Sequence, residues 1–204
     1  MLINVDKHEF LRSRRSVRRF RDKTVSPETL SRVLETAFHA PSAHNRQPWR
    51  YAIASTLVAK TELAEKMAFD FRSDLAREGL SSEEIDKRIE RSRSRIVSAP
   101  VVIAICLDET ELDVYPDESS QKAETLMGVQ SVAMAGLQLL LAAHAEGLGA
   151  VWTCGPIFAP AAVKAAFHLP DPWEPQGLIL IGYSDEIPQE KKLKAFNDLV
   201  MYLD

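Results

Sequence analysis

The sequence has few of the residues that form metal sites and disulfide scaffolds. It contains only two cysteines in 204 residues, Cys106 and Cys154, and these lie far apart. Its five histidines are scattered, and none pairs with another at helical spacing. No metal site is therefore expected. Cys106 lies within an apolar run, which predicts a buried side chain packed as a small hydrophobe.

The sequence also lacks a long apolar run and an excess of basic charge. No uninterrupted apolar stretch approaches the ~20 residues that cross a bilayer. Residues 1–6 lack the basic start and the apolar segment of a signal peptide. The net charge is −4, and 46% of the residues are hydrophobic, enough to bury one core. We therefore expect a cytoplasmic protein of one domain, 1–204, with no membrane partner.

Positive charge is concentrated in one segment of this mildly acidic chain. Residues 12–21, RSRRSVRRFR, contain six arginines, with Ser16 between them. Guanidinium groups and a serine hydroxyl together suit a phosphate. A solvated basic face and a nucleic-acid arm are the alternatives. A small phosphorylated cofactor is favoured, because nucleic-acid-binding domains are usually basic as a whole; no nucleic-acid partner is expected.

A second polar segment, Pro41–Trp49, joins a helical pattern to a short predicted strand at 51–55. Its two prolines restrict the backbone, and Ser42, Asn45 and Gln47 offer both donors and acceptors. Such a loop suits a flat heterocycle with N–H and C=O groups along one edge. A self-bonded structural turn is an equally good interpretation of the loop on its own.

Apolar periodicity predicts an α+β chain. Asp6 and Ser26-Pro27 have the pattern of helix starts. Val101–Leu107 and Gly177–Gly182 are continuous apolar runs, which predict strands buried on both faces. Residues 57–98 are charged and have helical periodicity. They are expected to form a helical excursion over a site, with a solvated helical hairpin as the alternative.

One long helix is predicted from about 118 to 146, ending at Gly147. Small residues recur along it, and such residues let another helix approach closely. A subunit interface is the favoured interpretation of this pattern, and core packing within one chain is the alternative. The small residues are Gly128, Ser131, Ala135 and Gly136.

Three motifs, in this order, resemble the nitroreductase family of FMN-dependent oxidoreductases. They are Arg14–Arg18, Pro41–Trp49, and Gly147-Leu148-Gly149 followed by Trp152–Gly155. Within the family, the sequence most resembles the C-terminal domain of the bifunctional gamma-glutamyl ligase of deazaflavin coenzyme synthesis. The resemblance implies a three-layer α/β/α sandwich with a mixed antiparallel sheet, in an intertwined homodimer.

The resemblance also implies which residues bind FMN, since each lies in a matching motif. Many members have a glutamate where Cys154 stands, which favours a backbone contact to flavin N5 here. The residues implied are Arg14, Arg15, Ser16 and Arg18 around the phosphate and the polar edge of the ring; Pro41, Ser42, Asn45 and Gln47 from the opposite subunit; Thr153, Cys154 and Gly155 beside N5; and Lys192 at the phosphate.

The activity implied is hydride transfer from NAD(P)H through FMN to a nitroaromatic, a quinone or an enone in two half-reactions. No catalytic side chain is expected, because the flavin stores the electrons. A reductase of a deazaflavin precursor and a non-redox or flavin-fragmenting protein are alternatives. Arginines of the 57–98 segment, such as Arg72, Arg93 and Arg95, are candidates to meet an acidic tail of the substrate.

Overall fold

The computed structural model describes residues 6–203. Four strands and seven helices are present in this part of the chain. The strands are β1 (Trp49–Ala54), β2 (Val101–Asp108), β3 (Gly149–Thr153) and β4 (Trp173–Gly182). The helices are α1 (Lys7–Ser13), α2 (Pro27–Ala37), α3 (Leu57–Arg77), α4 (Ser82–Ser98), α5 (Glu118–Ala145), α6 (Gly155–Phe158) and α7 (Pro160–Phe167).

The predicted helix starts are confirmed by their capping hydrogen bonds. The Asp6 carboxylate accepts a bond from the His8 N–H at 3.0 Å. The Ser26 hydroxyl accepts from the Thr29 N–H at 3.2 Å, with Pro27 in the first turn. Each such cap satisfies a backbone donor that the helix leaves free and contributes about 1 kcal/mol.

The sheet has the strand order β1-β2-β4-β3, and each neighbouring pair is antiparallel. Strand β2 is buried along its whole length, as predicted. Alternate residues of β2 belong to two separate cores, Ile103 and Ile105 to one and Val102 and Ala104 to the other. Among the described residues, the one parallel pairing is an isolated bridge between Ser16 and Ala150.

The two cores lie on opposite faces of the sheet and define three layers. Helices α2 and α5 cover one face, where Val33 and Leu139 are fully buried. Helices α3, α4 and α7 cover the other face, where Leu63, Ile96 and Val163 are buried. The expected α/β/α sandwich is confirmed. The helix pair of residues 57–98 forms part of one layer, with one side buried in the core and many of its other residues exposed.

The small residues of α5 face the core of their own chain. A Cβ added to Gly128 would lie 2.8 Å from Leu112 Cδ2, and one added to Gly136 would lie 2.1 Å from the Trp152 ring. Ser131 and Ala135 are also buried. The interface interpretation of these residues is therefore wrong, and the core alternative is the correct one.

Helix α5 has an apolar surface as well as an apolar core face. An 18-residue window has a mean hydropathy of 1.7, and by length and composition the helix could cross a membrane. The sequence led us to expect no membrane-spanning segment, because α5 contains no long uninterrupted apolar run. The mean hydropathy of the window is nevertheless high, since its polar residues are few and scattered. Of that window, 44% is buried in the fold, and the core helix of a soluble protein passes the same test. Leu126 and Leu137 are 56% and 52% exposed.

Candidate functional site

The arginine-rich segment runs in an extended conformation beside β3 and the end of β4. The Val17 N–H donates to the Ala150 carbonyl at 3.1 Å, and the Arg21 N–H donates to the Tyr183 carbonyl at 2.9 Å. Val17 is buried, whereas Arg18 is exposed. A Cβ on residue 149 would lie 2.7 Å from Val17, so Gly149 allows this close approach. The sheet thereby holds the arginines at its edge.

A cleft of about 780 Å3 opens along this segment, and we call it the arginine cleft. It is lined by Arg14, Arg15, Ser16, Arg18 and Arg19, and by residues 185–189, which include the acidic Asp185 and Glu186, with Lys191. In the described part of the chain, the guanidinium groups of Arg14 and Arg18 have no carboxylate oxygen within 4.0 Å. Two guanidinium groups and a hydroxyl can together accept an anion such as a phosphate.

Arg15 lines the arginine cleft and is also bonded to backbone, whereas Lys192 lies outside the cleft. The Arg15 guanidinium donates to the carbonyls of Arg12 and Arg14, the latter at 3.0 Å, and so binds the end of α1. In the tail, Lys191 lines the arginine cleft and Lys192 is exposed outside the lining.

Glu186 is a cleft residue that the sequence did not indicate. Its carboxylate accepts hydrogen bonds from the backbone N–H groups of Arg18 at 2.6 Å and Arg19 at 3.3 Å. It also lies 4.0 Å from the Arg19 guanidinium. Glu186 therefore holds the arginine segment in place. No local pattern could have revealed it, because 168 residues separate it from Arg18.

The end of α5 borders a neighbouring cleft of about 670 Å3, which Arg14 also lines. The His144 ring there stacks on Phe10, with ring centroids 4.9 Å apart, and its Nε2 lies 2.8 Å from the Ser13 hydroxyl. Burial, and then the positive charge of Arg14, lower the pKa of His144. His144 is therefore neutral at pH 7, and Arg14 carries the positive charge at this point.

The β3–α6 turn, Thr153–Gly155, lies at the end of β3, the strand with which the arginine segment pairs. Thr153 comes three residues after Ala150, about 10 Å along β3. A Cβ on residue 155 would lie 3.0 Å from Met67 Cε and 3.1 Å from Phe71 Cζ, so Gly155 lets the turn pack against α3. Cys154 is exposed.

A cavity of about 240 Å3 separates this turn from α4, and we call it the α4 cavity. Thr153 and Gly155 form part of its lining, opposite Arg95. Burial lowers the pKa of Arg95, and the positive charges of Arg18 and Arg91 lower it further. The negative charge of Glu186 acts in the opposite direction, so Arg95 lies in the field of groups of both signs that also line the arginine cleft.

The Pro41–Trp49 loop is tied together by its own hydrogen bonds. The Ser42 hydroxyl accepts from the Gln47 N–H at 3.0 Å, and the Gln47 side-chain amide donates to Asn45 Oδ1 at 3.3 Å. Three residues have positive φ, namely His44 at 51°, Asn45 at 54° and Gln47 at 52°. Such values are uncommon outside glycine and show a tightly determined conformation.

Within one protomer, this loop lies away from the arginine cleft. The Ala43 N–H donates to the Ser131 hydroxyl at 3.1 Å, which anchors the loop on α5. Ser131 precedes His144 by 13 residues, a rise of about 20 Å along the helix. Pro41, Asn45 and Gln47 are exposed. Within a single chain, the arginine segment therefore lies near the β3–α6 turn, whereas the Pro41–Trp49 loop lies far from both.

Known proteins share this arrangement over most of the chain. The family model described as "Nitroreductase family" matches residues 11–183. The chain belongs to the nitroreductase family. The matched range includes the arginine segment, the Pro41–Trp49 loop and the β3–α6 turn, so all three segments lie within the family domain.

Two relatives illustrate the range of names within the nitroreductase family. YfhC of Bacillus subtilis, provisionally named an NAD(P)H nitroreductase, is 28% identical over 191 residues, which cover 93% of this chain and 90% of YfhC. The 5,6-dimethylbenzimidazole synthase of Rhodospirillum rubrum is 31% identical over 184 residues, covering 88% of this chain and 84% of the synthase.

Solved structures of the nitroreductase family have the same fold. A nitroreductase-like protein from Bacillus cereus matches with a TM-score of 0.77 at 23% identity, covering 100% of this chain and 99% of that one. A protein from Desulfovibrio desulfuricans, solved in complex with FMN, matches with a TM-score of 0.73 at 24% identity, covering 97% and 96%.

Among residues 6–203, no group of three or more His, Cys, Asp or Glu side chains is placed to hold a metal ion. Cys106 is buried in the sheet, and burial raises the pKa of its thiol to about 12. Cys106 is thus the packed small side chain that the sequence predicted.

Proposed function

We propose that this chain is an FMN-dependent oxidoreductase that passes a hydride from NAD(P)H to a nitroaromatic, a quinone or an enone. The observation that carries the proposal is the arginine cleft, lined by Arg14, Arg15, Arg18 and Arg19 beside the strand that leads into the β3–α6 turn. In the overall reaction, one NAD(P)H and one proton reduce a quinone to a hydroquinone, or a nitro group to a nitroso group and water.

The residues at this edge fit FMN. Arg14, Ser16 and Arg18 would hold the phosphate and the polar side of the ring, with Lys191 facing them across the arginine cleft. The Gly155 backbone would lie beside N5, as the family resemblance implies for the β3–α6 turn. The FMN complex of the Desulfovibrio desulfuricans structure supports this choice of cofactor. When bound, FMN stores the two electrons between the half-reactions.

The chain itself supplies binding, orientation and a fixed field. Positive groups near the polar edge of the ring stabilise the negative charge that builds up there on reduction, without reorganising. Arg18 is the residue best placed for this role, because its backbone is held by Glu186. Protons reach the substrate from solvent, so the reaction requires no nucleophilic or acidic side chain of the protein.

A homodimer completes the proposed site. Pro41, Ser42, Asn45 and Gln47 lie too far along α5 to reach the arginine cleft of their own chain, so we assign them to the partner's flavin. The exposed stripe of α5 with Leu126, Met134 and Leu137 offers an apolar surface for that partner. The small residues of the helix pack against side chains of their own chain, so they are not part of this surface.

Reconstitution with FMN tests the proposal. The purified protein should be yellow, or should become yellow with added FMN, and NADH or NADPH should bleach it in an anaerobic stopped-flow experiment. Reoxidation by a panel of quinones, nitroaromatics and enones would then identify the acceptor. A colourless protein that takes up no FMN would contradict the proposal.

The Rhodospirillum rubrum relative favours flavin fragmentation as a second candidate function. The ring system in its name, 5,6-dimethylbenzimidazole, has a dimethyl-substituted benzene ring with nitrogens on two neighbouring carbons, and a flavin contains the same unit. Incubating the reduced FMN-loaded protein in air would distinguish the two. Loss of flavin with formation of 5,6-dimethylbenzimidazole would establish fragmentation, whereas intact recovery of FMN supports the oxidoreductase.

The reduction of a deazaflavin precursor stays a narrower prediction within the same activity. It follows from the resemblance to the deazaflavin ligase domain, at Tyr115–Asp117 and at Leu169–Pro175 among other segments. Including such a precursor in the acceptor panel tests it directly. Turnover of the precursor well above that of simple quinones would support this narrower assignment.

A further inference from the structure

The α4 cavity combines positive charge with an aromatic wall. Arg88, Arg91 and Arg95 are spaced three and four residues apart on α4, so they share one face of the helix, and all three line the cavity. Phe71 and Met67 of α3 line it on another side, against Gly155. A planar group could pack on Phe71 while an attached anion meets the arginines.

Two other arginines of helices α3 and α4 form ion pairs and do not line the cavity. Arg72 pairs with Asp86 at 2.6 Å, and Arg93 pairs with Glu90 at 3.9 Å. Of the three arginines named from the sequence as partners for an acidic tail, only Arg95 lines the cavity.

The charge inside the cavity is only partly balanced. Arg88 pairs with Glu84 at 2.7 Å, whereas Arg91 and Arg95 have no carboxylate within 4.0 Å in the part of the chain that the structure describes. Arg95 is half-buried, and Arg18 and Arg91 add like charge to its surroundings. Like charges close together repel one another; Glu186 offsets part of this positive charge, and an anionic ligand beside Arg91 and Arg95 offsets more of it.

We propose that the α4 cavity binds an anionic substituent of the acceptor, so that the acceptor is a planar aromatic compound carrying a negatively charged group. This inference rests on the proposed function, because it places the acceptor beside the β3–α6 turn. Arg91 and Arg95 bind the anion, and Phe71 packs against the ring. The reducible group thereby lies toward Gly155, where the proposed flavin N5 is located.

A matched pair of acceptors tests this inference without a nucleotide donor. The FMN-loaded protein is reduced photochemically and mixed anaerobically with 4-nitrobenzoate or with the neutral 4-nitrobenzamide, and reoxidation is followed by flavin absorbance. The native protein should react faster with the anion. In the double variant Arg91→Gln/Arg95→Gln, the rate constant with 4-nitrobenzoate should fall by about 10- to 100-fold, while that with 4-nitrobenzamide changes less than about twofold.

Arg93→Gln is the matched control, since Arg93 lies on the same helix, is paired with Glu90, and does not line the cavity. It should leave both rates unchanged. The exposed Arg91→Gln single variant provides a second measurement if the double variant binds FMN poorly. Equal rates with both acceptors in the native protein, or equal losses in the variants, would overturn the inference.

Measuring FMN binding and the reduction of bound FMN by NADH and NADPH shows whether a loss of activity comes from the acceptor site, the donor site or the flavin site. Selective loss of reduction by NADPH but not NADH, with acceptor preference intact, would assign the arginines to the donor's 2′-phosphate and overturn the inference. Normal FMN binding and bleaching without acceptor preference would overturn the inference alone. Failure of the native protein to bind FMN would overturn the proposed function and the inference together.

Discussion

Gly136 of α5 lies directly against the indole of Trp152, the residue before the β3–α6 turn. A Cβ on residue 136 would be 2.1 Å from Trp152 Cζ3, and a Cβ on Gly177 would be 2.6 Å from its Cε2. The ring is therefore held between two glycines, one from α5 and one from β4. This packing fixes the strand end that leads into the candidate site.

The Gly136→Ala variant should be less stable than the native protein. Overpacking costs typically 1–3 kcal/mol, more than the gain of about 1 kcal/mol from alanine's higher helix propensity. Urea unfolding measures the change. The cost should be smaller when Trp152→Leu is also present, because the two residues are in contact. A Gly136→Ala variant more stable than the native protein would contradict this packing.

Arg14→Ala and Arg18→Ala should each weaken FMN binding. Losing one charge-assisted hydrogen bond costs roughly 1.5–3 kcal/mol, which fluorescence titration of the apoprotein with FMN can measure. Arg21→Ala is a matched control, because Arg21 lies in the same segment outside the arginine cleft, 4.0 Å from Asp185. Unchanged affinity in both cleft variants would reject the phosphate role.

A charge on the exposed stripe of α5 should separate the proposed dimer. Leu137→Asp would bury a carboxylate in an apolar interface, which is strongly unfavourable without a partner. Light scattering should show a monomer, and FMN affinity should fall because the loop with Asn45 no longer reaches the flavin. Val58→Asp, at a residue that is 77% exposed on α3, is the control. A monomeric variant that retains FMN at native affinity would contradict the cross-subunit assignment.

The pH dependence of stability should include a contribution from His144. Its pKa is lowered by burial and then by Arg14, so the folded protein favours the neutral ring. An unfolded histidine titrates near ~6.5. As the pH falls from about 7, the unfolded chain therefore takes up this proton first, and the free energy of unfolding decreases. Urea unfolding at several pH values should show a shallower decrease in His144→Gln, while the exposed His39→Gln variant should follow the native protein.

Local patterns predicted most of the secondary structure. The caps at Asp6 and Ser26 involve residues two and three positions apart, so the sequence alone reveals them. The run Val101–Leu107 had to be buried on both faces, because every residue in it is apolar. Strand β4 begins at Trp173, earlier than the predicted start at Gly177, because pairing with β2 continues past the apolar run.

The candidate site was predictable in its parts. The arginine segment, the polar loop and the glycine turn each have a recognisable pattern, and all three lie within the residues that the family model matches. The residue roles stay predictions. The prediction that the small residues of α5 form a subunit interface was wrong. A helical pattern shows which residues share a face, but it does not show what packs against that face. In this chain, Leu112 and Trp152 pack against it.

The sequence by itself determined the elements, the three motifs and the concentration of arginine, because each depends on neighbours a few residues apart. Only the tertiary structure decided which arginines stay unpaired, since an ion pair depends on what distant segments bring near. It revealed that Glu186 binds the backbone of the arginine segment. It also showed that the Pro41–Trp49 loop lies about 20 Å away along α5. It also placed Arg95 beside the β3–α6 turn, because α4 and β3 meet there only in the folded chain.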